Sequence, residues 1–99
     1  MAVVEVTIVP LGTADTSVSK YVADCHRIVT EQSEIKYLLT PMATVLEGDL
    51  ATIMELIAKM HEVPFASGAK RVSTSIKIDD RRDKIGTIDQ KLKSVEEKL

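Results

Sequence analysis

The chain has 99 residues, a formal net charge of −2, one cysteine, no tryptophan and three aromatic residues. A length near the typical domain size predicts a single domain over 1–99 with a modest core, and the composition forces that core to be aliphatic. The near-neutral balance and the shortage of stacking rings argue against nucleic acid, the lone cysteine against a disulfide framework or cysteine zinc site, and the lack of any apolar run near ~20 residues against a membrane span.

The N-terminal run MAVVEVTIVP has neither a basic region nor a cleavage motif, so the expected compartment is cytoplasmic. Val3 to Val9 reads as a strand, with Val4, Val6 and Ile8 on one face and Val3, Glu5, Thr7 and Val9 on the other. Pro10 and Gly12 end it. A helix starts near Thr16 or Ser17, either of which suits an N-cap, and buries Val18, Tyr21, Val22, Cys25, Ile28 and Val29 until about Gln32. Ile35 to Leu39 is a second strand, broken by Thr40-Pro41 because proline cannot donate to a ladder. Met42 to Leu46 is a third. Asp49 caps a second helix whose apolar face is Leu50, Ile53, Met54, Ile57 and Met60. His61 closes that helix, and Pro64 and Gly68 mark the loop beyond it. Arg71 to Ile78 alternates Val72, Thr74, Ile76 and Ile78 against Arg71, Ser73, Ser75 and Lys77, a fourth strand. Asp79 to Asp83 is a charged turn, for which local ion pairing is a better reading than a metal site. Ile85 to Leu99 is a last helix with a narrow stripe of Ile88, Leu92, Val95 and Leu99.

Strand-helix-strand-strand-helix-strand is the order of a ferredoxin-like α+β fold, here βαββαβ with an additional C-terminal helix. Both central helices then pack on one face of an antiparallel sheet. The other face needs a cover, either the last helix folding back or a second protomer. Charge bears on the same point. Residues 1–69 carry four Lys/Arg against nine Asp/Glu, and residues 70–99 nine against six, so the two parts hold −5 and +3. A solvated terminal helix explains this, as does a basic tail meeting the acidic body of another copy.

Catalytic signals are sparse. His26 and His61 stand alone, Cys25 lies on an apolar helix stripe as a buried thiol would, and the four glycines form no phosphate-binding pattern. Two polar residues interrupt strands, Glu5 and Thr44. A carboxylate on a sheet face is costly if buried alone. Glu5 is therefore at an exposed edge, paired with a subunit neighbour, or reserved for a ligand such as a protonatable ring nitrogen or amino group.

The blocks Val9-Pro10-Leu11-Gly12-Thr13, Tyr37-Leu38-Leu39-Thr40-Pro41-Met42, Thr44-Val45-Leu46-Glu47-Gly48, His61-Glu62, Arg71-Val72 and Lys77-Ile78-Asp79-Asp80-Arg81 recur in this order in one family. With the closing run from Lys91 to Leu99, the chain resembles the small thiamine-binding proteins end to end. Ala43 departs from a glycine often found there and narrows the space beside it. The resemblance implies a ferredoxin-like protomer, a dimer of dimers (homotetramer), and non-enzymatic binding of thiamine or its hydroxymethylpyrimidine part, with no other cofactor. Side-chain chemistry nominates Glu5 for the aminopyrimidine, Thr7 and Thr44 as hydroxyl partners and Met42 as an apolar wall. Arg71 suits a phosphate or, more simply, a salt bridge. The shortage of aromatics argues against a cage for a thiazolium ring and favours recognition of the pyrimidine end. The competing reading is a structural or regulatory assembly module without a small-molecule ligand, built on the last helix.

Overall fold

The computed structural model describes residues 1–12, 19–83 and 87–99. Alternating β-branched residues produce β1 (Ala2–Leu11), which pairs antiparallel on one side with β3 (Thr44–Gly48) and on the other with β4 (Arg71–Asp80). β2 (Lys36–Leu39) pairs antiparallel with β3 and forms the edge, giving the order β2-β3-β1-β4. With α1 (Ser19–Thr30) and α2 (Leu50–Ala66) between the strands and α3 (Ile88–Glu96) appended, this is the expected ferredoxin-like α+β arrangement. The expected start of the first helix at Thr16 or Ser17, and that of the last at Ile85, lie outside the described residues.

Register explains the core. Val4 stands opposite Leu46 and Ile78, and Val6 opposite Thr44 and Ile76, so these side chains share the face that carries α1 and α2. Val4, Leu46, Val29, Ile53 and Met60 are fully enclosed there. Burying each such side chain contributes about 1.5–3 kcal/mol. The turn from α1 into β2 is tied by Gln32, whose amide donates to the carbonyls of Val29 and Ile35 at 2.9 Å and accepts from the Ile35 N–H at 2.7 Å. At the end of β3 the backbone passes close to Ile35. A Cβ on Gly48 would stand 2.7 Å from Ile35 Cδ1, so the tip of that side chain would have to turn aside, and the Gly48 φ of +156° is one that residues with a side chain rarely adopt.

Several boundaries differ from the sequence reading. β3 begins at Thr44 and not at Met42, because Thr40 clamps the hairpin. Its N–H donates to the Ala43 carbonyl at 2.9 Å, its hydroxyl donates to the same carbonyl at 2.8 Å, and the Ala43 N–H donates back to the hydroxyl at 3.0 Å. β1 continues through Pro10, which pairs with Val72 beyond the point where β3 ends, so the missing N–H removes no ladder bond to β3. β4 runs on through Asp79 and Asp80, which pair with Val3 and Ala2.

α2 also continues past its expected end, with Pro64 inside it. Proline lacks the N–H that would bond the carbonyl four residues earlier. That carbonyl belongs to Met60, and the Cys25 thiol of α1 donates to it at 3.5 Å. A helix break is thus avoided by a donor from the neighbouring helix. His61 consequently lies within α2, and its Nδ1 is 2.7 Å from the Thr74 hydroxyl of β4. The N-terminus of α2 behaves as expected, with Asp49 accepting from the Thr52 N–H at 3.2 Å.

The thiol contact makes a direct prediction. Cys25→Ala leaves a buried carbonyl without a donor and is expected to cost about 1 kcal/mol or more in urea denaturation, with Cys25→Ser recovering part of the loss. Leu46→Ala, a cavity in the enclosed core, is expected to cost about 2–5 kcal/mol by the same measurement.

Candidate binding site

The short hairpin leaves a gap in the sheet. β3 covers β1 only from Ala2 to Val6, whereas β4 covers it to Leu11. In the gap lies a cavity of about 90 Å³, bounded by Val6, Thr7 and Ile8 of β1, Val22 and Cys25 of α1, Met60 of α2, and the hairpin from Leu39 to Thr44. Its back wall is the Cys25–Met60 contact that compensates Pro64. Its mouth is the hairpin loop, where Met42 is 84% exposed.

Three of the four residues nominated from sequence meet here: Thr7, Met42 and Thr44. Thr44 faces the helices beside Val6. Thr7 has the parity of the opposite sheet face, but beyond Val6 no β3 residue separates the two faces, so it reaches the cavity too. Among the described residues, neither hydroxyl has a hydrogen-bond partner within the protein, whereas the Thr40 hydroxyl is spent on the hairpin clamp. Ala43, the departure noted above, is part of the wall. Cys25, Leu39 and Val22 were missed as lining residues. The helix stripe marks Val22 and Cys25 as apolar and Leu39 belongs to a strand, but only the packing of α1 over the gap brings them together at a cavity.

Glu5 is not brought to this site. It stands opposite Lys77 and Val45 on the sheet face away from α1 and α2, in a cleft of about 220 Å³ with Val3, Asp79 and Lys91. It is exposed in the protomer, on a central strand and not at a sheet edge, and it faces Lys77 across the ladder. Arg71 is exposed at the start of β4, and among the described residues it makes no salt bridge, against the simpler expectation. It borders a shallow depression with Lys70, Gly68 and Gly12. The charged turn does pair locally, Arg81 with Asp83 at 2.6 Å and Arg82 with Asp80 at 2.9 Å. The Arg82 hydrogen bond holds the Asp80 carboxyl below its ordinary range.

α3 touches the open sheet face at its start. Ile88 is buried, Lys91 pairs with Asp79, and Asp89 accepts from Lys36 at 2.8 Å. Lys36 also lies 3.9 Å from Glu47, a carboxylate only 5% exposed whose Oε2 has no hydrogen-bond partner among the described residues. Among the described residues no three His, Cys, Asp or Glu side chains converge as a metal would require, and no helix is long and apolar enough to cross a membrane.

A family model described as thiamine-binding protein matches residues 4–96. The chain belongs to that family. It is 48% identical over 102 residues to the UPF0045 protein YqgV of Bacillus subtilis, covering 100% of this chain and 98% of that one. A UPF0045 protein of Methanothermobacter thermautotrophicus is 40% identical, with 100% of both chains covered. Among solved structures, a hypothetical protein of Methanocaldococcus jannaschii superposes with a TM-score of 0.86 at 41% identity, covering 97% of this chain and 96% of that one. A putative thiamine biosynthesis/salvage protein of Thermotoga maritima superposes at 0.79 with 22% identity over 95% and 97% of the two chains, a likeness of fold.

The cavity wall gives a pH-dependent prediction. Burial pushes the Cys25 thiol above its ordinary range, and the neighbouring Asp24 carboxylate adds to the shift. The reactive form is the thiolate. Alkylation of the native protein at neutral pH is therefore expected to be slower than that of the unfolded chain, and to accelerate as pH rises through the raised value.

Proposed function

We propose that this protein binds thiamine or a thiamine-related pyrimidine in the cavity between β1, α1 and the β2–β3 hairpin, without transforming it. The observation that carries the reading is the pairing of a small apolar cavity with two threonine hydroxyls, Thr7 and Thr44, that have no hydrogen-bond partner among the described residues, in a chain of the thiamine-binding family. Small-molecule sites combine largely apolar walls with a few convergent polar groups, and Met42 and Pro41 at the mouth supply further wall. In this reading the role is that of a carrier, buffer or sensor in the cytoplasm.

Isothermal titration calorimetry with thiamine and hydroxymethylpyrimidine tests this. The wild-type protein is expected to bind at least one of them. Ala43→Leu, which fills the cavity, is expected to weaken binding at least about tenfold, a loss of about 1.4 kcal/mol. Glu5→Gln is expected to leave affinity unchanged, because Glu5 lies on the other face. Absence of binding by the wild type would sink the reading.

A second reading, assembly, is favoured by one observation. α3 ends at Glu96, short of the expected Leu99; Leu92 and Val95 on it and Leu99 beyond it are 54%, 58% and 98% exposed, so most of the apolar stripe packs on nothing within the protomer. We propose that it docks on a second copy within a homotetramer built as a dimer of dimers. Deleting residues 85–99 is expected to lower the mass measured by light scattering, and an unchanged mass would exclude α3 as the assembly device.

A further inference from the structure

Glu47 of β3 stands opposite Val3 and Lys36, on the sheet face turned away from α1 and α2. The charged residues Glu5, Lys77 and Asp79 of that face are exposed. Glu47 is not: it is 5% exposed, and its Oε2 has no hydrogen-bond partner among the described residues. Enclosing an ionised carboxylate is costly unless a nearby charge or hydrogen bonds offset it. Among the described residues one cation lies within reach, Lys36 at 3.9 Å, too far for a hydrogen bond. The same ammonium fastens α3. Lys36 donates to Asp89 at 2.8 Å, and that bond pushes its pKa above the ordinary lysine range, so it stays charged at neutral pH. The pair is unequal, because Lys36 is exposed and Glu47 is enclosed. Without its partner the lysine is hydrated, whereas the carboxylate is left dry and alone.

α3 has little else to hold it. Ile88 is buried and Gln90 half-buried, and every residue from Lys91 to Glu96 is exposed. Thr87 caps the helix by accepting from the Gln90 N–H at 3.0 Å. Lys91 pairs with Asp79, an exposed contact of the kind that contributes little. A helix of nine residues is too short to persist in water on its own propensity. α3 is therefore a helix only while its first turn is seated on the sheet.

We propose that α3 is a conditional element latched by the charge of Lys36 over the enclosed Glu47. With the ammonium in place, the first turn docks and the helix forms. With that charge removed, Glu47 regains water only if the cover over it opens, and α3 leaves the sheet and unwinds. Release uncovers the row of Glu47 and Val3 on the open face and dissolves the stripe of Leu92 and Val95. Lys36 acts here as a positioning residue, and anything that neutralises its side chain throws the latch. The latch operates whatever the cavity on the other face binds.

Hydrogen–deuterium exchange of the full chain, read by mass spectrometry, tests the proposal, with the amides of β1 and β3 reporting that the sheet is folded. The α3 amides of the wild type are expected to be protected. Lys36→Gln is expected to speed their exchange at least about tenfold, because it leaves an enclosed charge uncompensated. Lys36→Arg keeps the charge and is expected to keep the protection. Glu47→Gln and Asp89→Asn are each expected to change exchange less than about fivefold, the scale of an exposed pair. Combining Lys36→Gln with Glu47→Gln is expected to restore protection, since no charge is then enclosed. Unprotected α3 amides in the wild type, or unchanged protection in Lys36→Gln, would overturn the proposal by showing that α3 is not held by this latch. Loss of protection in Glu47→Gln or Asp89→Asn as large as in Lys36→Gln would reduce the contact to a plain ion pair and overturn it too. So would failure of the double variant to recover. If Lys36→Gln disturbs the sheet itself, the comparison of Glu47→Gln and the double variant with the wild type still decides.

Discussion

The unequal length of neighbouring strands governs this molecule. β1 and β4 each run ten residues, but β3 runs five and β2 four. The cause is local, a threonine that closes the hairpin on itself by exchanging hydrogen bonds with Ala43 before the strands can lengthen. From this follow the uncovered half of β1, the tolerance of Pro10 within a strand flanked elsewhere on both sides, and a cavity walled by two helices and a loop. A longer hairpin would pair the free edge of β1 and close the cavity.

The same region shows how a backbone defect is absorbed. Pro64 withdraws one donor from α2, and the orphaned Met60 carbonyl takes the Cys25 thiol from α1. A thiol is a weak donor, yet it suits an apolar site because it fills space as a small hydrophobe when the bond stretches. The contact joins the two helices and forms the back of the cavity. Stability and the site therefore share an element, which couples the volume of the cavity to the packing of α1 on α2.

The other face of the sheet is organised by charge. Lys36 stands between the enclosed Glu47 and Asp89 of α3, and Lys91 reaches Asp79. These ion pairs, with Ile88, fix only the first turn of α3. Exposed pairs of this kind contribute little each, so the remainder of α3, with Leu92 and Val95 facing solvent, has little within the protomer to hold it.

The amino-acid sequence by itself determined the order of elements, the faces of β1 and β4, the cap at Asp49 and the aliphatic core, because each rests on residue periodicity or side-chain chemistry within a few positions. It also marked Glu5 and Thr44, which interrupt strands, while Thr7 and Met42 were nominated only for their side-chain chemistry. It did not show that Glu5 lies apart from Thr7, Met42 and Thr44 in the fold. A strand pattern assigns faces, but not where a neighbouring strand stops, and that stop is what lets Thr7 reach the helix side while Glu5, two residues earlier, does not. Likewise Pro64 reads as a break until α1 is placed beside it with a thiol at the right height. Only the tertiary structure decided these points, because strand ends and compensating donors depend on groups distant in the chain that meet only after folding.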